Sequence, residues 1–89
     1  MKQIDFRHFK MYTDITQENT IETDISRDFA DTIYKNANGI VAHDLALRIY
    51  RATEPLALTD EDLAFLHSFI SGTTPVFQDS FNANIIDHD

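Results

Sequence analysis

The sequence predicts an α+β fold: an N-terminal β-hairpin followed by a bundle of about four short helices, in the order ββαααα. Three observations carry this. An aromatic-rich segment and a cleanly alternating one lie close together at the start of the chain. Apolar residues then recur at helical spacing in four successive stretches. Each of those stretches is bounded by residues that start or stop helices. The 89 residues are expected to form one domain, 1–89.

The hairpin is expected over residues 4–25. Residues 4–13 read IDFRHFKMYT, and their aromatic content favours a strand. On that reading Ile4, Phe6, His8, Lys10 and Tyr12 share one face, and Arg7, Phe9 and Met11 the other. Residues 20–25, TIETDI, set Ile21, Thr23 and Ile25 against Glu22 and Asp24. The polar run Thr16–Gln17–Glu18–Asn19 connects the two. An isolated hairpin is marginal in water and must pack on something.

The first helix is expected over 26–37. Ser26 is its candidate N-cap, Asp28 suits the positive end of the helix dipole, and Phe29, Ala30, Ile33 and Tyr34 give it one apolar face. Asn36–Ala37–Asn38–Gly39 stops it, with Asn38 or Gly39 free to take a left-handed conformation. The second helix, 40–53, has the broadest apolar stripe: Val41, Ala42, Leu45, Ala46 and Ile49. Asp44, Arg48 and Arg51 lie opposite, and Ile40 and Leu47 fall on that polar side. Asp44 and Arg48, at i and i+4, contribute about 0.2–0.5 kcal/mol.

Glu54–Pro55 ends the second helix, and Leu56–Ala57–Leu58 leads into a third over 59–71. Thr59 and Asp62 have capping-box spacing, and Leu58 and Leu63 that of a hydrophobic staple. Asp60, Glu61 and Asp62 all favour the helix start. Leu63, Leu66, Phe69 and Ile70 form its apolar side, and Gly72 closes it. Thr74 as N-cap and Pro75 at the first position open a fourth helix, 74–86, with Phe77, Phe81 and Ile85 on one face. The tail Asp87–His88–Asp89 is expected to fray. Short connections make the second to fourth helices expected near-antiparallel neighbours, with the hairpin covering one side.

The charge is uneven. Seven basic and fifteen acidic residues give a net −8. Residues 1–51 hold all seven bases and eight of the acids, a net of −1. Residues 52–89 hold seven acids and no base, a net of −7. Such a chain repels phosphates and anionic lipid, so no direct nucleic-acid or membrane partner is expected. Neither a signal-peptide apolar run nor a membrane span is visible, so a cytoplasmic location is expected. The chain has no cysteine, which removes disulfides, thiolate metal sites and a cysteine nucleophile.

No constellation points to catalysis, and the chain is expected not to be an enzyme. Asp60–Glu61–Asp62 lacks the alternation of a calcium loop, so capping accounts for it. His8, His43, His67 and His88 never stand at i, i+4 as in a helical zinc pair. His88 between Asp87 and Asp89 is at most a weak chelator. The serines lack a nucleophile-elbow context. Two glycines, Gly39 and Gly72, cannot build a phosphate-cradling loop. No catalytic, metal or cofactor residue, and no cofactor, is expected. The candidate interaction surface is Leu47, Arg48 and Arg51, an apolar residue and two cations on one helix face.

Leu45–Ala46–Leu47–Arg48–Ile49–Tyr50–Arg51–Ala52 followed by Leu58–Thr59–Asp60–Glu61–Asp62–Leu63 resembles a pattern in small proteins of bacterial prophages and other mobile elements. Phe29–Ala30–Asp31–Thr32–Ile33–Tyr34 with Gly39–Ile40–Val41–Ala42–His43 is similar to members from Bacteroides-type genomes. The resemblance covers about half the chain and implies a setting, with no residue role attached. The expected function is a non-enzymatic protein-interaction or accessory/assembly module binding a protein partner or a second copy as a homodimer. The alternative is an acidic DNA mimic or regulator that binds a basic protein surface, and a more remote one is a small metal-binding protein or enzyme. Bunching of Asp60–Asp62 at one helix end, rather than along a face, argues against the mimic.

Overall fold

The computed structural model describes residues 2–87. Its elements are β1 (Lys2–Ile4), β2 (Phe9–Tyr12), β3 (Thr20–Thr23), α1 (Ser26–Asn36), α2 (Ile40–Arg51), β4 (Leu56–Leu58), α3 (Asp60–Ile70), α4 (Pro75–Ala83) and β5 (Ile86–Asp87). The fold is α+β with four helices and two small antiparallel sheets. The expected ββαααα order is corrected: strands also lie between the second and third helices and after the fourth.

The first sheet has the order β4–β1–β5. Lys2 pairs with Leu58 on one side and Asp87 on the other, and Ile4 pairs with Leu56. Leu56–Leu58, read as a lead-in to a helix, is therefore a strand. Asp87, expected to fray, pairs with Lys2, and His88 and Asp89 lie outside the described residues. Three- and two-residue strands are too short to show a period of their own, so only pairing reveals them.

The expected single strand 4–13 is broken. The Asp5 carboxylate accepts hydrogen bonds from the backbone N–H of Arg7 and His8, 3.1 Å each, which turns the chain between β1 and β2. The turn changes which side chains point inward, so Ile4, Phe6 and Phe9 are all buried despite opposite parity. The hairpin itself is present as β2–β3, with Phe9 opposite Thr23 and Met11 opposite Ile21. At its tip Gln17 takes a left-handed φ of 58°, and Asp14 accepts from the Thr16 backbone.

Helix ends follow local chemistry with two corrections. Thr59 and Asp62 form the expected capping box, and Pro75 opens α4. Thr74 makes no side-chain cap bond. Ser26 is not the N-cap of α1: Ile25 occupies that position, and the buried Ser26 hydroxyl donates to Asp24 at 2.6 Å. Gly39, with φ 99°, starts α2 in a conformation that L side chains resist.

Ile4, Phe6, Phe9, Phe29, Ile33, Leu45, Ile49, Leu58, Leu63, Leu66, Ile70 and Phe81 belong to one buried cluster, with Phe77 and Ile85 packed against it. The closest helix packing is α1 on α2, while α3 lies against β4 and α4 against β2. Side chains still make successive helices neighbours, α2 touching α3 through Arg48 and Asp62 and α3 touching α4 through His67 and Asn82, although the α2–α3 connection holds a strand.

Side chains of α4 and of its C-cap residue Asn84 close one edge of β2. Ser80 Oγ accepts from the Tyr12 N–H at 3.0 Å and donates to the Val76 carbonyl at 2.7 Å. Asn84 accepts from the Lys10 N–H at 3.0 Å and donates to its carbonyl at 2.8 Å. Ser80 is fully buried. Ser80→Ala is expected to cost about 1–2 kcal/mol by leaving the Tyr12 N–H unsatisfied. Urea denaturation and faster amide exchange at Tyr12 check this.

Candidate interaction face

The three residues singled out from sequence line one shallow depression of about 300 Å³, together with Asp44, Ala52 and Leu56, but their side chains are engaged differently. Arg48 faces inward along the α2–α3 boundary: its Nη2 and Nη1 lie 3.0 and 3.2 Å from the two Asp62 carboxylate oxygens, a bidentate pair. Its Nε also donates to Asp44 at 3.1 Å. Asp62 is buried, 7% exposed, and also accepts from the Thr59 N–H at 3.1 Å. Burial pushes the Asp62 carboxyl up, but the Arg48 and Thr59 hydrogen bonds outweigh it and hold it below the usual carboxylate range. The same pairing, partly opposed by burial, raises Arg48. Arg48 is therefore a structural tie between α2 and the start of α3.

Leu47 and Arg51 take no part in that tie. Leu47 is half-buried and Arg51 exposed. Leu47 lines a groove of about 210 Å³ between α1 and α2, with Ala30, Asp31 and Tyr34 on one wall and His43, Ala46 and Tyr50 on the other. The two helices run antiparallel, so contacts repeat along the groove. Tyr34 meets His43 at one end, with ring centroids 5.5 Å apart. Arg27 lies over the Tyr50 ring at the other, 5.8 Å from its centroid. This distance is within cation–π range.

The exposed side of α2 carries a pattern of its own. Ile40, His43, Leu47 and Tyr50 follow at spacings of three, four and three, which aligns them on one stripe. Ile40 is 82% exposed, Tyr50 48% and neighbouring Tyr34 62%. The inner side of the helix is filled by Ala42, Leu45, Ala46 and Ile49. Val41, expected on that inner stripe, is 65% exposed, because it lies a quarter-turn away from the buried centre. α2 thus has two apolar seams, one in the core and one facing outward. Sequence reasoning picks out Ile40 and Leu47 but misses His43, Tyr50 and Tyr34. The signal available is the three-four-three spacing.

Other surfaces are less organised. A depression of about 350 Å³ lies between the hairpin tip and the start of α4, lined by Tyr12, Ile15, Val76 and Asp79 among others. Gln17 reaches across it to Asp79 at 3.2 Å. Among the described residues no group of three metal-ligating side chains converges. His8 sits beside Asp5 at 3.1 Å, and His67 Nε2 lies 2.9 Å from Asn82 Oδ1, bridging α3 and α4. His88, the expected weak chelator, lies outside the described residues. Among the described residues no helix is long and apolar enough to cross a membrane.

No protein-family model, curated protein or solved structure matches the chain.

Proposed function

We propose that this chain is a non-enzymatic protein-interaction module, an accessory or assembly factor of the kind carried by prophages and other mobile elements, with the outer face of α1–α2 as its binding surface. The observation that carries this reading is the stripe Ile40–His43–Leu47–Tyr50 with Tyr34 beside it. Aromatic and branched side chains that stay exposed next to a groove are what protein interfaces select. Heptad-like spacing suits a helix of the partner laid along the groove. The acidic second half adds solubility, and three of its seven surplus charges are used at the start of α3, so a DNA-mimic role has less support.

Affinity capture with the wild-type chain and with Leu47→Glu/Tyr50→Glu as bait tests the assignment. A specific partner, either the chain itself or another protein, is expected with wild type and lost with the double variant, which circular dichroism should show still folded. A partner retained equally by both baits contradicts the assigned face.

A further inference from the structure

We infer that the occupant of this face is a second copy of the chain, docked antiparallel through α2. This rests on the interaction reading above and narrows it to one partner. The charge pattern beside the apolar stripe selects this occupant. Pairing two copies of α2 antiparallel about a two-fold axis near Leu45 places Ile40 opposite Tyr50 of the second copy and His43 opposite Leu47 of the second copy. The four stripe positions are thereby each used twice, and Tyr34 lies beside the seam.

The flanks then decide between self and a generic partner. One flank of the stripe faces α1 and is occupied by Ala46 and the groove wall. The other carries Asp44 and Arg51, seven residues apart, both exposed. In antiparallel helix pairs such flanking positions meet across the seam, and here Asp44 of one copy meets Arg51 of the other. Their backbones are offset by roughly 7.5 Å along the axis. Both side chains tilt toward their own helix N-terminus and so toward each other, and the long arginine spans the rest. Two-fold symmetry makes the pair twice. The carboxylate of Asp44 is 67% exposed even while bonded to Arg48, so it retains acceptor capacity on its outer side. Among the described residues no carboxylate lies within ion-pair distance of Arg51, which leaves it free for that contact. A two-fold arrangement is self-complementary by construction, and Asp44 and Arg51 are placed as such an arrangement requires.

The competing surface for self-association is the open edge of β3. All four β3 residues are exposed, Ile21 at 63%. The edge is only four residues long and carries Glu22 in its middle, which protects it against strand addition.

Charge exchange tests the inference in a way that folding defects cannot imitate. Sedimentation velocity in 150 mM salt is run on wild type, Asp44→Arg, Arg51→Asp, the double variant and an equimolar mixture of the two single variants. Wild type is expected to dimerise at micromolar to high-micromolar concentration. Each single variant sets like charges across the seam twice and is expected to weaken the dimer roughly tenfold or more. The double variant is expected to recover the dimer, and the mixture to form a one-to-one heterodimer, because both seam contacts then join a cation to a carboxylate again. Glu22→Lys, on the β3 edge, is expected to leave the dimer unchanged. A monomeric wild type at high micromolar concentration, single variants as dimeric as wild type, or no recovery in the mixture overturns the inference. If wild type is monomeric while Leu47→Glu/Tyr50→Glu still loses a captured partner, the homodimer fails and the interaction reading stands.

Discussion

Phe29→Ala is expected to cost about 3–5 kcal/mol, the usual range for deleting a buried aromatic ring. Phe29 is the hub of the aromatic cluster. Its ring lies 5.7 Å from Phe6, 5.8 Å from Phe77, 6.2 Å from Phe69 and 6.4 Å from Phe81, centroid to centroid. Those rings come from the β1–β2 turn, α3 and α4, so one truncation loosens every aromatic contact that α1 makes with the rest of the core. For an 89-residue chain total stability is roughly 4–13 kcal/mol, and the loss is therefore expected to leave a variant partly unfolded at 25 °C. Phe29→Leu, which keeps most of the volume, is expected to cost about 1 kcal/mol. Urea denaturation of the three proteins measures both. A loss below about 1 kcal/mol for Phe29→Ala would mean that α1 does not anchor the core.

The second large effect is at Asp62. Asp62→Ala removes half of a capping box and leaves a partly buried arginine without its bidentate partner. Loss of the cap costs about 1 kcal/mol and loss of a hydrogen bond to a charged group about 1.5–3 kcal/mol. Arg48 is 36% exposed and so partly resolvated in the variant, which brings the expected total to about 2–3 kcal/mol at pH 7. For a domain of this size that corresponds to roughly 10–20 °C in Tm. The effect depends on pH with a defined sign. The folded-state carboxyl is depressed, so its stabilisation is complete above the unfolded carboxylate value near 3.9 and is lost as pH falls through the lower folded value. The wild-type and Asp62→Ala melting temperatures are therefore expected to converge as acid is added below about pH 4. A gap that stays constant from pH 7 to pH 2 would exclude the ionised pair as its cause.

The parts of the fold legible in the sequence are those set by local chemistry. Thr59–Asp62, Pro75 and the runs Phe29–Ile33 and Ala42–Ile49 fix helix starts and inner faces within a few residues. The β2–β3 hairpin is legible from the alternation of Ile21, Thr23 and Ile25, even though Ile21 is exposed. What escapes depends on contacts distant in sequence. β1, β4 and β5 are strands only because Lys2–Ile4 lies between Leu56–Leu58 and Ile86–Asp87. The break at Asp5 depends on a side-chain turn that competes with an otherwise plausible strand.

The candidate site divides the same way. Arg48 reads as a solvated cation beside Asp44, four residues earlier, and its tie to Asp62 needs the α2–α3 approach. Leu47 is recognisable because it breaks a polar face. Tyr34 joins it only through the antiparallel packing of α1 on α2, which no single-helix pattern encodes.

The most direct test of the outer α2 stripe as the functional surface is residue-level mapping of self-association. Amide and aromatic NMR shifts are followed as the isotope-labelled chain is concentrated from about 10 μM to 1 mM. These concentrations bracket the association range of weak to moderate interfaces. The expected shifts are confined to Tyr34, Ile40, His43, Asp44, Leu47, Tyr50 and Arg51, with Thr20–Thr23 unchanged. Shifts centred on Thr20–Thr23, or spectra that do not change over the whole range, would contradict a dimer built through α2.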